Sequence, residues 1–199
     1  MTTVVIVQAR LTSTRLPAKM MLSLGGEPCI RHVLRRAKEI PGIDKVVCAT
    51  PVSNSAPIWR EAMALGVKVV QGSEHDVLGR FRKAALLVNA DIVMRITGDC
   101  PLIDPEICGR VLELMEDGVD YASNVMPRGF PKGLDCECFT MEALERAHKE
   151  ADDPYDREHV TPFIQRMMYC VNLDGDDDPN LNWCLDTLQD YLFLSERFA

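Results

Sequence analysis

Cationic and hydroxyl side chains are concentrated in one short stretch near the start of the chain. The cations are Arg10, Arg15 and Lys19, and Thr12, Ser13 and Thr14 lie between them. Guanidinium and ammonium groups neutralise phosphate oxygens, and hydroxyls and free backbone N–H groups donate to them. A surface loop with scattered charges explains any one of these residues, but it explains the whole set less well. The set predicts a binding site for a nucleoside triphosphate.

A carboxylate that could hold a metal ion occurs later in the chain. Asp99 stands in the stretch Arg-Ile-Thr-Gly-Asp-Cys-Pro over 95–101. Mg²⁺ takes one or two carboxylates and leaves its other positions to phosphate oxygens and water. A helix cap is the alternative for Asp99, but Asp104, followed by Pro105, has the stronger claim to that cap. Asp186 has the same two interpretations, as a second metal ligand or as a cap of the last helix.

The elements that must position these residues alternate between strand and helix through the first two thirds of the chain. The predicted strands are 4–7, 44–50, 67–70, 91–96 and 119–123, and the predicted helices are 28–40, 58–65, 76–88 and 106–116. This alternation is typical of an α/β protein whose parallel sheet is covered by helices on both faces. Such sheets bind ligands beyond the carboxyl ends of their strands. We therefore expect the cationic loop and the Asp99 turn to face each other at one edge of the sheet.

The pattern changes in the last third. Alternating polar and apolar residues predict an antiparallel or edge strand over 134–140, and a last strand is predicted over 181–186. Helices are predicted over 141–150, 157–168 and 188–198, with Pro162 in the first turn of the middle helix or disturbing it. The acidic run 176–178 is typical of a solvated turn. A single domain over 1–199 is expected from the length.

Composition argues against several classes of protein. The net charge of −8 disfavours general binding to nucleic acid or to anionic membranes. No apolar stretch approaches the roughly 18 residues that span a bilayer. The start lacks the positive region of a signal peptide, so we expect a cytoplasmic location. The eight cysteines form no C-x-x-C pair and are expected as free thiols in or near the core.

Two common nucleotide-binding fingerprints are absent. The chain has neither G-x-G-x-x-G after a strand nor G-x-x-x-x-G-K-[ST], so a dinucleotide site or a P-loop is not predicted. Gly25-Gly26 is expected as a turn before the first helix. Among the four histidines, His159 is open to an acid–base role or a structural one.

Four ordered stretches resemble the CTP-dependent cytidylyltransferases that activate acidic sugars. This group includes acylneuraminate and 3-deoxy-manno-octulosonate cytidylyltransferases, and the resemblance is strongest to its spore-coat polysaccharide branch. The stretches are 7–19, 72–78, 95–105 and 156–162, and they cover nearly the whole chain in order.

The resemblance implies a three-layer α/β/α nucleotide-diphospho-sugar transferase fold with a mixed, mostly parallel sheet. It implies an Mg²⁺-dependent enzyme that moves CMP from CTP to an acidic sugar with release of pyrophosphate, for surface polysaccharide or glycan biosynthesis. The implied partners are CTP, the acidic sugar and a second copy of the chain in a homodimer, with no nucleic acid and no membrane.

The resemblance also assigns residues. The implied nucleotide-binding residues are Ala9, Arg10, Thr14, Arg15, Lys19, Gln71, Ser73 and Arg80. The implied catalytic residues are Arg10, Arg15, Lys19 and Asp99, and the implied metal ligands are Asp99 and Asp186. The segment 124–165 is implied to line the sugar site and to contribute to dimerisation. Its sugar-binding candidates are Asn124, Arg128, Lys132, Asp135, Glu137, Arg157 and His159.

Two other functions stay open on the sequence. A glycosyltransferase of the same fold would consume a nucleotide sugar and would carry an Asp-x-Asp metal motif, which only the run 176–178 matches, by composition. A non-catalytic nucleotide-binding protein is the second alternative, because relatives continue past the last helix whereas this chain stops at Ala199. The intact Lys19, Asp99 and Asp186 weigh against it. The identity of the sugar and the choice of cytosine depend on the shape of the pocket.

Overall fold

The first strand, β1 (Thr3–Gln8), lies at the centre of the main sheet. In this computed structural model, which describes residues 1–199, the four side chains of Val4–Val7 are fully buried. An unbroken β-branched run suits a strand that is covered on both faces. Val5 and Val7 enter one apolar core, and Val4 and Ile6 enter the other.

Nine strands form two sheets. The strands after β1 are β2 (Ser23–Leu24), β3 (Glu27–Pro28), β4 (Lys45–Pro51), β5 (Lys68–Gly72), β6 (Ile92–Thr97), β7 (Tyr121–Ser123), β8 (Glu137–Thr140) and β9 (Cys170–Asn172). The seven-stranded sheet has the order β5-β4-β1-β6-β8-β7-β9, and β2 and β3 form a small hairpin. In the seven-stranded sheet, β5, β4, β1 and β6 are parallel to one another and β8 is antiparallel to both of its neighbours. The strands β7 and β9 are parallel to each other. The sheet is therefore mixed and mostly parallel, as expected.

Eight helices cover the sheet or flank it. They are α1 (Cys29–Lys38), α2 (Ala56–Ala64), α3 (Val77–Val88), α4 (Pro105–Glu113), α5 (Met141–Glu150), α6 (Pro154–His159), α7 (Pro162–Met167) and α8 (Leu188–Arg197). Side chains of α1, α2 and α4 fill the core on one face, and those of α3, α5 and α7 fill the core on the other. The three layers confirm the predicted α/β class. None of the helices has the length and apolarity that a membrane span requires.

The order of the strands creates a crevice beside β1. The chain leaves β1 for β4 and then β5, and it returns to the opposite side of β1 as β6. At such a switch point the connections from two adjacent strands run to opposite sides, and ligands bind between them. The cationic loop over 9–18 follows β1 and the Asp99 turn follows β6. The expectation that these two segments share one edge of the sheet is confirmed.

The predicted strand over 181–186 is wrong. Its backbone makes one isolated bridge, between Asn182 and Lys132, and it does not join the sheet. Leu185 N donates instead to Asp99 O at 2.7 Å, because this segment passes over to the turn that follows β6. A short edge strand that the sequence did not predict, β9, pairs with β7.

The predicted helix over 157–168 is two helices, α6 and α7. Between them Val160 has φ 73°, which interrupts the helix. The side chain of Val160 is fully buried, and its packing in the core accompanies this unusual backbone conformation. Pro162 begins α7, a position where its missing N–H costs nothing. The turn predicted at Gly25-Gly26 is confirmed, because both glycines have positive φ in the β2–β3 connection.

Two helix caps decide between the alternatives left open for the aspartates. The carboxylate of Asp104 accepts from Glu106 N at 2.8 Å, which confirms it as the cap of α4. Thr187, not Asp186, caps α8, and Asp190 completes the capping box. The interpretation of Asp186 as a cap is therefore wrong. All eight cysteines are free, and seven are buried while Cys170 is exposed.

Asn124 fixes the connection that leads into β8. This side chain is fully buried, and it lies just after β7. Its Nδ2 donates to Leu134 O at 2.7 Å, and its Oδ1 accepts from Cys136 N at 2.9 Å. Asn124 therefore satisfies two buried backbone groups in the segment that precedes β8.

We expect Asn124→Ala to destabilise the fold. The change leaves two buried backbone groups without partners, at about 1–3 kcal/mol for each. The free energy of unfolding, measured in urea, should fall accordingly. Asn180→Ala is the matched control, because Asn180 is exposed and bonds only within its own turn to Asp178. Equal stability of the two variants would contradict a stabilising role for the two hydrogen bonds of the Asn124 side chain.

Candidate active site

A charged cavity of about 590 Å³ lies at the switch point. Eleven of the predicted site residues line it: Ala9, Arg10, Thr14, Arg15, Lys19, Arg80, Asp99, Lys132, Asp135, His159 and Asp186. Another cavity, of about 450 Å³, lies at the other end of β4, and its Lys38 and Lys45 donate to backbone carbonyls. The predicted chemistry therefore converges on the cavity at the switch point.

One buried ammonium joins the two predicted metal ligands. Lys19 Nζ donates to Asp99 Oδ2 at 2.5 Å and to Asp186 Oδ1 at 2.7 Å, and Lys19 is only 7% exposed. Asp186 also pairs with Arg15 at 3.0 Å and with Lys132 at 3.1 Å. Buried charges persist only when they are paired, so this cluster ties together three segments that are distant in the chain.

The cluster shifts the protonation of its own members. Burial by itself lowers the pKa of Lys19, but the charge of Asp99 and the bonds to both carboxylates raise this pKa above 10.5. Burial by itself raises the pKa of Asp186, but the bonds and charges of Lys19 and Lys132 lower it from 3.8 to about 2. Lys19 is therefore charged and Asp186 is ionised at neutral pH.

The chemistry of these donors fits a hard divalent cation. An oxygen of Asp99 and an oxygen of Asp186 already converge on one positive group, Lys19 Nζ. Carboxylate oxygens are the protein ligands that Mg²⁺ prefers. The two carboxylates are thus suitable ligands for such an ion.

The cavity is positive although the chain as a whole is negative. Its cationic members are Arg10, Arg15, Lys19, Arg80, Arg95 and Lys132, and its acidic members are Asp99, Asp135, Glu158 and Asp186. The excess of two positive charges contrasts with the net charge of −8 for the whole chain. A polyanion is the kind of ligand that this local field attracts.

The loop after β1 is shaped to leave its donors free. Residues 9–18 form no regular element, and the amides of Thr14 and Arg15 donate to no backbone carbonyl. Arg10 is 3.5 Å from Glu158, and Thr12 bonds to Glu74. The loop is therefore tied at its sides by acidic residues, while its cations line the cavity.

Arg80 is a buried cation with unused bonding capacity. It is 3% exposed, its Nη1 donates to Ser73 O at 2.6 Å, and its Nε has no partner. Burial, and after it the nearby charge of Arg10, lowers the pKa of Arg80 to about 10. A Cβ at Gly72 would lie 3.0 Å from Arg80 Cγ, so the glycine permits this close packing. Arg80 thus presents an unsatisfied donor beside the cavity.

Six predicted site residues lie outside the cavity wall: Gln71, Ser73, Asn124, Arg128, Glu137 and Arg157. Gln71 Nε2 donates to Ser55 Oγ at 2.7 Å. Arg128 forms a two-bond ion pair with Asp135, at 2.5 and 2.8 Å. These side chains support the wall, and their roles in binding stay predictions.

Glu137 and Arg157 are engaged by other parts of the fold. The Glu137 carboxylate accepts from Thr161 Oγ1 at 2.7 Å and pairs with Arg95. Arg157 makes two bonds to Asp76, at 3.0 and 3.1 Å, and so joins α6 to the cap of α3. Both residues hold elements together, a role that the sequence pattern did not reveal.

The polar face of β6 also lines the cavity, although none of its residues was among the predicted site residues. Arg95 and Thr97 line the cavity and alternate with the buried Met94 and Ile96. Arg95 Nε donates to Gln8 Oε1 at 3.2 Å, which connects β6 to β1. Polar residues at alternate positions of a β-branched strand are the signal that points to this face. The acidic run 176–178 does not line the cavity.

Comparisons with known proteins agree with this geometry. Residues 4–183 match a family model described as cytidylyltransferase. The chain is 29% identical to the spore coat polysaccharide biosynthesis protein SpsF of Bacillus subtilis, over 94% of this chain and 82% of that protein. It is 36% identical to a 3-deoxy-manno-octulosonate cytidylyltransferase of Anaeromyxobacter sp., over 62% of this chain and 50% of that protein.

A solved structure shows the same architecture. A cytidylyltransferase from Leptospira borgpetersenii superposes with a TM-score of 0.93 at 32% identity, covering 98% of this chain and 85% of that one. The expected nucleotide-diphospho-sugar transferase fold is thereby confirmed.

We expect the contribution of Asp186 to stability to be lost in acid. Its pKa is lowered on folding, so the ionised carboxylate stabilises the fold fully above 3.8 and loses this effect as the pH falls towards 2. Urea unfolding should show wild type to be more stable than Asp186→Asn at about pH 6, by a margin that shrinks below about pH 4. Asp177→Asn removes an exposed carboxylate with no ion pair and serves as the control. A difference in stability that does not change with pH would contradict the stabilising role of the ionised Asp186 carboxylate.

Proposed function

The chain belongs to the cytidylyltransferase family, and on that premise we propose that it transfers CMP from CTP to a hydroxyl of an acidic sugar and releases pyrophosphate. One observation carries the proposal: a positive cavity at the switch point in which Lys19, Asp99 and Asp186 converge. A single domain over 1–199 would perform this reaction for surface polysaccharide or glycan biosynthesis. The similarity to SpsF supports the polysaccharide role.

In this proposal the loop after β1 binds the triphosphate. Arg10, Arg15 and Lys19 neutralise the phosphates, and the hydroxyl and amide of Thr14 add donors. Ala9 lines the cavity beside them, with its own amide bonded to Ala49 O. Arg80 lines the cavity and contributes a further positive charge that favours an anion there. The free amides and the positive field both favour this assignment.

The segment 72–80 would enclose the base and the ribose. Gln71 and Ser73 act here by shaping the segment, since the Gln71 side chain is held by Ser55 and the Ser73 carbonyl is held by Arg80. Gln71 O also accepts from Lys83 at 2.7 Å. Backbone groups of this segment are left to recognise the cytosine.

Asp99 and Asp186 would hold the Mg²⁺ ion of the reaction. When bound there, the ion neutralises phosphate charge and lowers the pKa of the attacking hydroxyl. Lys19 already compensates both carboxylates, and its ammonium lies within reach of the triphosphate that the loop binds. The excess of positive charge that the cavity carries without a nucleotide would then offset the charge of the triphosphate.

The transfer itself is an in-line displacement at the α-phosphorus. The oxygen of the sugar hydroxyl forms the new bond to phosphorus and gives up its proton to solvent, the bond to the bridging oxygen of the β-phosphate breaks, and pyrophosphate leaves. Positioning and charge neutralisation carry such reactions, because little covalent work is asked of the protein. Lys19, Arg10 and Arg15 stabilise the negative charge that develops on the leaving group.

The acidic sugar would bind on the side formed by 124–165. Lys132 and Asp135 line the cavity there, with His159 at its edge, and Arg95 lies in the floor. A guanidinium and an ammonium suit the carboxylate of the sugar, and Asp135 suits its hydroxyls. Asn124, Arg128, Glu137 and Arg157 would hold this wall in place. The similarity to a 3-deoxy-manno-octulosonate cytidylyltransferase favours an acidic acceptor.

The same segment would supply the contact of a homodimer. Met126 and Tyr155 are 54% and 59% exposed, and Tyr169, just beyond the segment, is 61% exposed. Exposed apolar side chains of this size are common at interfaces between subunits.

We expect Asp99→Ala to abolish turnover while the protein stays folded. Pyrophosphate release should be measured with Mg²⁺, each of the four common nucleoside triphosphates and a panel of acidic sugars. Release is expected with CTP and one sugar, and Asp99→Ala should lower it by at least about 100-fold. Asp104→Ala is the matched control, since it removes only a cap of about 0.5–2 kcal/mol five residues further along the chain. No release from any combination, together with no effect of CTP on the melting temperature, would reject the proposed function.

We expect Lys132→Ala to weaken binding of the acidic acceptor more than binding of the nucleotide. Losing a hydrogen bond to a charged group costs about 1.5–3 kcal/mol, which corresponds to a rise in KM for the sugar of roughly 10- to 100-fold. The KM for CTP should change much less, and a sugar whose carboxylate is esterified should not distinguish the variant from wild type. Lys149→Ala, at an exposed position on α5, is the control. Equal losses for the acid and the ester would show that Lys132 does not bind the carboxylate.

A further inference from the structure

Two thiols lie in the floor of the cavity, and the proposed reaction does not use them. Cys100 Sγ is 3.6 Å from Cys184 Sγ and 3.7 Å from Asp99 Oδ1. Both cysteines are free, and both line the cavity although they are only 3% and 6% exposed. All three ligand atoms lie within 4.8 Å of one another.

We propose that Cys100, Cys184 and Asp99 form a binding site for a soft divalent cation such as Zn²⁺ or Cd²⁺. In a tetrahedral zinc site, Zn–S bonds of about 2.3 Å put two sulfurs about 3.8 Å apart, and a sulfur and an oxygen about 3.5 Å apart. The observed separations of 3.6 and 3.7 Å are close to these values. Both cysteines and Asp99 line the cavity, so a water molecule from the cavity would complete the coordination.

The site differs in chemistry from the one assigned to Mg²⁺. Thiolates select zinc and similar soft ions, whereas Mg²⁺ takes oxygen ligands. The two sites share Asp99 and differ in the other ligands, which are two sulfurs in one and Asp186 in the other. The two oxygens of Asp99 face different partners, since Oδ2 accepts from Lys19 while Oδ1 lies beside Cys100 Sγ.

The charges balance when the ion binds. Each thiol gives its proton to solvent as its sulfur forms a bond to the metal, and no electrons are transferred. Two thiolates neutralise a divalent cation, so the bound ion adds no net charge beside the Lys19 ammonium. Asp99 keeps its pairing with Lys19 through the second oxygen.

The backbone holds the two thiols in register. Cys100 belongs to the turn after β6, and Cys184 belongs to the segment that the Leu185 N to Asp99 O bond fastens to that turn. A metal therefore meets ligands that are already close, and little ordering is needed on binding. An ion at this site would compete with Mg²⁺ for Asp99 and inhibit transfer. That consequence rests on the proposed function, whereas the binding itself does not.

A second thiol pair supplies a matched control. Cys108 and Cys136 are fully buried and belong to one apolar core cluster. Neither lines the cavity, and they belong to no cluster of metal-ligand atoms with a carboxylate. The two pairs thus differ in access and in the third ligand, which are the features that the proposal requires.

Cadmium binding tests the proposal without reference to catalysis. Reduced Cys170→Ser protein, which lacks the exposed thiol, is titrated with Cd²⁺ and followed by the ultraviolet charge-transfer band of thiolate bound to cadmium. We expect one Cd²⁺ per chain. The Cys100→Ala/Cys184→Ala variant should weaken binding by more than the roughly 10- to 100-fold that loss of an outer-shell partner costs. The Cys108→Ala/Cys136→Ala variant should bind as the parent does.

Two outcomes would overturn the site: no band in the parent, or a band that survives in Cys100→Ala/Cys184→Ala. If that variant does not fold, as judged by circular dichroism, the single change Cys184→Ala decides in the same way. Asp99→Asn should keep the band but bind Cd²⁺ more weakly. An unchanged affinity for Cd²⁺ would show that Asp99 is not a ligand. Absence of pyrophosphate release in the parent would count against the proposed function and would leave the titration unaffected.

Discussion

The pairing of one buried ammonium with two carboxylates constrains the whole cavity. Lys19 follows the loop after β1, Asp99 follows β6, and Asp186 precedes the last helix. Leaving any of these charges buried without a partner is costly, so the three segments must meet for the chain to reach its native state. The cavity is consequently preformed by folding and does not require a ligand to assemble it.

The strand order explains why the two sides of the cavity have different characters. The loop after β1 and the segment 72–80 belong to the parallel half of the sheet, and they contribute cations and free amides. Lys132 and Asp135 come from the antiparallel part beyond β6, where β8 and β7 are held by Asn124 and by the buried pair of Arg95 and Glu137. The proposed phosphate-binding side and the proposed acceptor-binding side thus come from different parts of the chain, joined at β6.

The local sequence pattern was sufficient to predict those segments whose conformation depends mainly on their own residues. The β-branched runs and amphipathic helices of the first two thirds, the cap at Asp104 and the cationic loop were all predicted from the sequence. The segment 181–186 was misassigned because its backbone bonds to a loop and a turn, which periodicity does not reveal. Arg95 was missed as a site residue because it lies within an apolar strand. Glu137 and Arg157 have internal partners that are more than 20 residues away in sequence, and no pattern in one sequence specifies such pairs.

The hydrogen bond from Leu185 N to Asp99 O bears on how such a protein can diversify. This bond is made by the main chain, so it does not depend on the chemistry of the side chain at 185, provided that the residue is not proline and fits the buried position. The bond helps to hold the two carboxylates at their observed spacing. If the proposed function holds, substitutions in the wall that contains Lys132 and Asp135 would alter which acceptor fits there without changing the loop proposed to bind phosphate. The fold would then keep the two proposed binding parts on separate segments, which is a favourable arrangement for evolving new acceptor preferences.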